Sequence, residues 1–375
     1  MIKITQVDPK NKKQVRQFSH FPFAIYQGNP NWVPPILIDV ENSLNREKHP
    51  FYDHSDADFF LAEVDGRVVG RIAALENKPY NRFKERKIAQ FFYFEAVDDR
   101  AVAEALFGRL YEWANKRGLN EILGPKGFGP VDGYGMLVEG FDHRQTMNMV
   151  GYNPPYYPEM LTSFGFEKEV DFVSCYTYWK TFSMPDRVQR IAQKVKDRGT
   201  LQVHEFKTKK ELVQWAPKIG KTYNRSFANN WEYYPLTDRE IQFVLDNIMQ
   251  IADPRLIKII VANDEVVGFT FAFPDISEAL QRSGGKLLPF GIIRILREIR
   301  RTRWLAVNGA GILPEFQGRG GNALLYYEMY RTLKDYNYEH LDLVQVAETA
   351  TQMRSDLENV GVKPYKNHRV FLKRI

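Results

Sequence analysis

The chain carries one two-strand pattern twice. Phe59-Phe60-Leu61-Ala62-Glu63-Val64-Asp65-Gly66-Arg67-Val68-Val69-Gly70-Arg71-Ile72-Ala73 reads as two strands joined by an Asp-Gly turn, a dipeptide that accepts positive φ at both central positions. Residues 257–273 repeat it, with Asn263-Asp264-Glu265 at the turn and Val266-Val267-Gly268 following. Gly70 and Gly268 stand 198 positions apart. Far downstream, Leu161-Thr162-Ser163-Phe164-Gly165-Phe166 precedes a strand-like run at 170–178, and Leu357-Glu358-Asn359-Val360-Gly361-Val362 precedes another at 370–372. Gly165 and Gly361 are 196 positions apart. Two distant landmarks recurring at nearly one offset imply two related domains.

Periodicity gives both halves the same order of elements. In the first half a strand at 4–7 precedes the hairpin. A third strand at 88–97, a helix at 101–116, a strand at 120–124, a helix at 158–164 and the final strand follow. The second half begins with a strand at 201–206 and helices at 209–223 and 237–249. After its hairpin come a strand at 304–313, a helix at 322–335, a strand at 341–347, a helix at 350–359 and the last strand. A polar helix at 189–199 is expected to join them.

Length and charge narrow the class. The 375 residues, 44% hydrophobic and 14% aromatic, suffice for more than one packed core. A formal net charge of +6 with both signs interspersed is too mild to call for nucleic acid. The single cysteine, Cys175, excludes an intrachain disulfide framework, and the Met1-Ile2-Lys3-Ile4-Thr5 start lacks the apolar core of a signal peptide. The expected location is cytoplasmic. No apolar run approaches eighteen residues, so no membrane span is expected.

The chemistry is concentrated at 304–325. An apolar strand there runs into Pro314-Glu315-Phe316, then Gln317-Gly318-Arg319-Gly320-Gly321-Asn322-Ala323-Leu324-Leu325. Glycines free the backbone to turn N–H groups toward an anion at a helix start, and the expected ligand is a pyrophosphate. No Lys-Ser or Lys-Thr follows the last glycine, and no Gly-x-Gly-x-x-Gly is present, so neither a P-loop nor a dinucleotide fold is indicated. The stretch resembles the acyl-CoA loop of the GCN5-related N-acetyltransferase (GNAT) superfamily, Gln/Arg-x-x-Gly-x-Gly/Ala between a strand and a helix. Gln317 and Gly320 match it, while Asn322 stands where that family has Gly or Ala. The resemblance implies an α/β (α+β) fold of two tandem GNAT-like domains, each a mixed central sheet flanked by helices. It assigns residues 1–182 to a degenerate domain, 183–200 to a connecting helix and 201–375 to the domain with the acyl-CoA loop. It implies cofactor contacts from Ile312, Leu313, Gln317, Gly318, Arg319, Gly320, Gly321, Asn322 and Ala323, with acetyl-CoA or another acyl-CoA as cosubstrate and no metal. In the first half the equivalent place reads Asp98-Asp99-Arg100, whose carboxylates repel a pyrophosphate.

A narrower resemblance rests on Asn31-Trp32-Val33-Pro34-Pro35, Gly124-Pro125, Glu139-Gly140-Phe141-Asp142 and Asn153-Pro154-Pro155-Tyr156-Tyr157. It is to a family of bacterial proteins of about this length, described only as acyltransferases of unknown substrate.

The GNAT resemblance implies attack of an amine on a thioester. That reaction needs a strand whose backbone holds the pantetheine arm, a proton acceptor for the ammonium and an acid for the thiolate. The strand is 310–313, where Gly309 and Gly311 suggest a bulge. The superfamily's frequent acid, a Tyr four residues before the glycine of the last helix, is Leu357 here and Leu161 in the first half. Asn308 occupies the region where a Glu base commonly sits, which leaves Glu348 as the catalytic candidate against a reading as helix-start charge.

Other clusters carry competing readings. His49, Asp53, His54, Asp56 and Asp58 present metal-capable side chains or a solvated loop. Arg294, Arg297, Arg300, Arg301 and Arg303, alternating with Ile292, Ile293, Ile295, Leu296 and Ile299, suggest a half-buried helix with a basic outer face, with a phosphate or membrane-surface patch as the second reading. Cys175 is expected to be buried packing, and Trp231, Tyr233 and Tyr234 line an acceptor pocket or a core. The partner expected is a small-molecule or peptide amine, without nucleic acid or membrane. Two alternatives are an aminoacyl-tRNA-dependent transferase of the peptidyl-bridge type, which the Gly loop disfavours, and a non-catalytic binder of CoA or another ligand.

Overall fold

Both hairpins form, and their turns explain why. In the first, strands Asp56–Val64 and Arg67–Glu76 are joined by Asp65 and Gly66 at φ 49° and 76°. In the second, Ile257–Ala262 and Glu265–Pro274 are joined by Asn263 and Asp264 at φ 49° and 62°. Short polar side chains tolerate this left-handed region better than any others except glycine. The structure, a computed structural model, describes residues 1–130, 132–147 and 149–375.

The chain divides into two compact units, and they do not follow the linear halves. One comprises residues 1–172, 277–295 and 366–375; the other comprises 173–276 and 296–365. The strand that ends the first half, Glu167–Tyr178, therefore passes from the first unit into the second, and the strand that ends the chain, Lys363–Arg374, passes the other way.

In the first unit Lys3–Gln6, Asp56–Val64, Arg67–Glu76 and Ile88–Ala96 pair antiparallel in that order. Ile88–Ala96 then pairs parallel with Glu121–Gly124, whose other edge takes the chain's last strand through Phe371↔Gly124 to Arg374↔Glu121. The helix Arg100–Asn115 buries Val102, Leu106, Phe107 and Leu110 among Phe60, Ile72, Phe91 and Phe371.

The second unit repeats the plan. Gln202–Glu205, Ile257–Ala262, Glu265–Pro274 and Trp304–Ile312 pair antiparallel in turn, and Trp304–Ile312 pairs parallel with His340–Ala347. Helix Gly321–Leu333 buries Leu324 and Leu325 against Ile260, Val267 and Ile312. The helix expected to join the domains, Asp186–Arg198, belongs to this unit. It lays Val195 into the same cluster, and Lys196 Nζ lies 2.8 Å from Glu328 Oε1.

The duplication reaches individual hydrogen bonds. Gly70 pairs with Ala96 and Gly268 with Ile312. Just beyond each of these pairs, Val97 N donates to Val69 O at 3.0 Å and Leu313 N to Val267 O at 2.9 Å. Both third strands bulge at one register, Tyr93 at φ 51° in the first and Gly309 at φ 97° in the second.

Candidate functional site

The second unit opens where its two parallel strands part. Trp304↔His340 through Val307↔Leu343 are the paired positions. Beyond Val307 the Gly309 bulge turns the strand, which keeps its antiparallel partner through Thr270↔Ala310, Phe269↔Gly311 and Gly268↔Ile312. Among the described residues, Asn308 to Ile312 have no ladder partner on the His340–Ala347 side, which leaves an edge suited to the amides of an extended ligand. The bulge that the glycines of this strand suggest is present. Gly311 has no room for more: a Cβ there stands 2.9 Å from Phe269 Cζ and 3.1 Å from Ser226 Cβ.

After the strand the chain makes one tight turn, Pro314–Phe316, and Gln317 Nε2 donates back to Ile312 O at 3.2 Å. Gly318 and Gly320 follow at φ 72° and 86°, and Gly320 heads helix Gly321–Leu333 without a side chain to cap it. The first N–H groups of a helix have no intrahelical acceptors, and with the dipole they attract anions. The start is pressed against the strand, since a Cβ on Gly321 stands 2.7 Å from Ile312 Cδ1. Arg319 is exposed, its guanidinium 5.0 Å from the Phe316 ring centroid. Asn322, which departs from the small residue of the resembling loop, donates from Nδ2 to Asp356 Oδ2 at 2.5 Å and ties the helix start to helix Thr351–Val360. Ala323 packs toward the Cys175, Leu357 and Val360 cluster. The loop residues Gln317 to Ala323 thus meet the end of the bulged strand, Ile312 and Leu313, in one place.

Glu348 lies just beyond strand His340–Ala347, on the arm that diverges from the bulged strand, and is half-buried. It precedes the Ala350 cap of helix Thr351–Val360, whose first turn holds no acidic residue, so it is not placed as a first-turn charge. Leu357, at the acid position of the superfamily whose loop this chain resembles, is buried with Cys175 and Val360 and cannot exchange a proton. Burial pushes the Cys175 thiol up to about 11, which keeps it a packed, protonated group.

Ser226 is the site residue that sequence reasoning missed. It ends helix Lys209–Ser226 against Gly311, with its hydroxyl buried and no hydrogen-bond partner among the described residues. No motif marks it; only the fold brings it to the open strand. Near it, Tyr223 stacks with Phe269 at 6.2 Å and Phe269 with Phe271 at 4.7 Å. Tyr233 and Tyr234 are buried, and the Tyr234 hydroxyl donates to Glu240 Oε1 at 2.9 Å, in the capping box of helix Asp238–Ile251.

The equivalent place in the first unit is closed. Asp99 Oδ1 accepts from Ala101 N at 2.9 Å, so helix Arg100–Asn115 is capped by its own carboxylate. Lys126 N donates to Phe91 O at 2.9 Å, and a Cβ on Gly124 stands 2.5 Å from that same oxygen, so the chain after Gly124 fills the gap beyond the paired strands. The Lys126 ammonium lies 5.0 and 4.5 Å from the Tyr80 and Tyr134 ring centroids. Val131 of this loop lies outside the described residues.

The other candidates are engaged structurally. Asp56 pairs with Arg46 and Lys78, Asp58 takes Arg46 at 2.9 Å and Trp113 Nε1 at 2.7 Å, and His49 Nδ1 accepts from Phe51 N at 3.3 Å. His54 Nδ1 lies 2.6 Å from Ser55 Oγ, and Asp53 falls in the short turn Pro50–Asp53 between them. Among the described residues no group of three His, Cys, Asp or Glu has a metal-holding arrangement.

Comparison with known proteins agrees with the fold. The chain is matched over its whole length by the structure of a tandem GNAT protein from the clavulanic acid biosynthesis pathway, with TM-score 0.57, 11% identity and 98% of that chain covered. The fold is that of tandem GNAT proteins. A GNAT structure from Sphaerobacter thermophilus matches with TM-score 0.52 and 11% identity over 95% of that chain. Among curated proteins the GNAT-fold chain is 27% identical, over 99% of its length and 97% of the relative's, to a bacterial ceramide synthase of Caulobacter vibrioides. It is 26% identical to Protein YghO of Escherichia coli over 97% of its length and 94% of the relative's. No family model matches the chain.

Proposed function

We propose that the chain is an acyl-CoA-dependent N-acyltransferase whose reaction takes place in the second unit. The observation that carries this reading is the uncapped helix start behind Gly318 and Gly320, set at the end of a bulged strand whose backbone edge is open. The pyrophosphate of CoA would lie on the N–H groups at Gly320 to Ala323. Its pantetheine arm would run along Ile312 back to Asn308, past Gly311 and Ser226, with the thioester toward the Gly309 bulge. The amine would enter from the side of Tyr223 and Phe269, and Glu348 would take or relay its proton.

The acyl chain is proposed to be long and the acceptor a long-chain amino alcohol. A ceramide is the amide of such an amine with a fatty acid, and the relative bearing that name aligns with nearly the whole chain. Its amide would be formed by the same attack of an amine on a thioester proposed for this site.

Turnover with an acyl-CoA series, from acetyl to palmitoyl, against a long-chain amino alcohol and a short amine panel tests the reading. Release of free CoA with amide formation, fastest for long acyl donors and the lipid amine, is the expected result. CoA binding without turnover on any pair would sink catalysis in favour of ligand binding, and acetyl transfer confined to short amines would remove the lipid assignment.

A further inference from the structure

The two copies of the fold differ most between the hairpin and the third strand. Residues 77–87 fill that interval in the first half, largely as helix Lys78–Lys84. In the second half it spans 275–303 and holds helices Ser277–Ser283 and Gly291–Arg301. The inserted segment is held in place. Gln281 Nε2 donates to Pro30 O and Trp32 O at 2.8 and 2.9 Å, Leu37 N donates to Gly285 O at 3.0 Å, and Arg294 Nη1 donates to Arg282 O at 2.5 Å.

The sequence led us to expect the apolar side of helix Gly291–Arg301 to be half-buried. Ile295 and Ile299 are half-buried, but Ile292, Ile293 and Leu296 are exposed. Leu288 and Phe290, on the approach to the helix, are exposed by 75% and 64%. Apart from Met1 they are the most exposed large apolar side chains among the described residues. A cluster of this kind is costly in water and marks a contact surface. Positions 292, 295, 296 and 299 form one stripe at i, i+3, i+4 and i+7, and Arg294, Arg297 and Arg301 fall on the opposite side. Lys286 and Arg300 add to the charge, and between 286 and 301 Glu298 is the only acid.

We infer that helix Gly291–Arg301, with Leu288 and Phe290, docks the protein onto an anionic phospholipid bilayer, lying in the plane of the headgroups. The charge decides the occupant. A symmetric contact between two copies through the stripe leaves the arginines without an anionic partner, whereas an anionic headgroup layer attracts the basic segment while the acyl boundary takes Leu288, Phe290, Ile293 and Leu296. Among the described residues no helix is long and apolar enough to cross a membrane, and lying on one makes no such demand. The inference stands on the helix itself, independently of what the second unit acylates.

Sedimentation of the full chain with vesicles, without acyl donor or amine, tests it. Vesicles of phosphatidylcholine with phosphatidylglycerol should bind the chain at least tenfold more tightly than phosphatidylcholine alone, and salt should weaken that binding. The triple change Phe290→Ser, Ile293→Ser and Leu296→Ser should abolish it, and Arg297→Gln with Arg301→Gln should reduce it toward the neutral-vesicle value. Because Cys175 is buried, Leu288→Cys can carry a polarity-sensitive label that should report an apolar environment only with anionic vesicles. An absence of vesicle binding by the unaltered chain, or binding that survives both sets of changes, overturns the inference. A dimer lost in the triple variant, with no vesicle binding, assigns the face to a second copy instead. A variant without a cooperative melt is replaced by the label readout, where an unchanged spectrum on anionic vesicles is the contrary outcome.

Discussion

Two helices hold the same place in the two units and begin in opposite ways. Arg100–Asn115 starts behind Asp99, whose carboxylate satisfies Ala101 N, while Gly321–Leu333 starts behind Gly320, which has nothing to offer its own N–H groups. A carboxylate cap is the stabilising solution for a helix. Omitting it leaves a place for an external anion. The strands behind them differ in the same sense: the bulge is Gly309 in one and Tyr93 in the other, and the gap beyond is open in one and filled by Lys126 in the other. Each of these differences follows from the local chemistry of a few residues.

The largest effect that could break this contrast is expected at Glu348. If it takes or relays the amine proton, Glu348→Gln keeps shape and reach but removes basicity, and turnover should fall by roughly two to four orders of magnitude with CoA affinity nearly unchanged. Near-normal turnover returns Glu348 to an ordinary turn residue.

Next comes the loop. Arg319 is exposed, so Arg319→Glu should leave the fold intact and weaken CoA binding at least tenfold, about 1.4 kcal/mol, by calorimetry. Unaltered affinity removes the phosphate assignment. Gly320→Val is a poorer probe, because a Cβ there stands 2.7 Å from Val195 Cγ2 and the residue sits at φ 86°, so ligand binding and helix packing fail together.

A pH experiment sharpens the same comparison. In the second unit Phe269 and Gly311 occupy the register where the first unit buries Arg71 and Glu95. Tyr26 and Tyr157 donate to Glu95 Oε2 at 2.8 and 3.0 Å, yet burial still raises that carboxyl to about 7, against the pull of Arg71. A folded value above the unfolded one contributes stability that is complete below about 4.5 and is lost as pH rises through about 7. His368 acts in the other direction. Burial lowers it to about 4, so its contribution is present above about 6.5 and is lost as pH falls toward 4. The difference between the parent and Glu95→Gln, in denaturant titrations, isolates Glu95. The parent should lose on the order of 2 kcal/mol relative to the variant between pH 5 and pH 8. Parallel pH profiles would contradict the assignment.

The smallest effect concerns the closed copy. Asp99→Gly should cost a few tenths of a kcal/mol as a lost cap and still give one CoA per chain, because the filled gap beyond Phe91 remains. A second CoA equivalent in that variant would show that the carboxylate alone closes the first unit.

Much of this was legible before any coordinates. Asp65-Gly66 and Asn263-Asp264 fix hairpins locally, and Gly165 and Gly361 end their helices in the left-handed conformation, φ 80° and 87°, that glycine adopts freely. Local backbone preference and period are written in neighbouring residues, so the repeated strands and helices and the loop at 317–323 could be read directly, whereas helices Lys12–His20, Leu37–Ser43 and Lys78–Lys84 were not read. The helix at 291–301 could be read as a helix, but its apolar side was assigned to the interior, since a stripe says which side is apolar and not what covers it. The last strand shows a harder limit. Val370 to Leu372 reads as a strand, yet that it pairs with Glu121–Gly124 of the first unit follows from no local signal.

The sequence by itself determined the duplication, the hairpins, the bulge glycines and the helix start left without a cap, because each depends on conformations that a few adjacent residues permit or forbid. Tertiary structure alone decided which copy's final strand completes which sheet, that Ser226 faces Gly311, and that the inserted helix shows its apolar stripe to the outside. The physical reason is that these outcomes depend on packing between segments distant in the chain. Two related domains offer a strand nearly the same edge, and only the summed contacts of the folded chain choose between them.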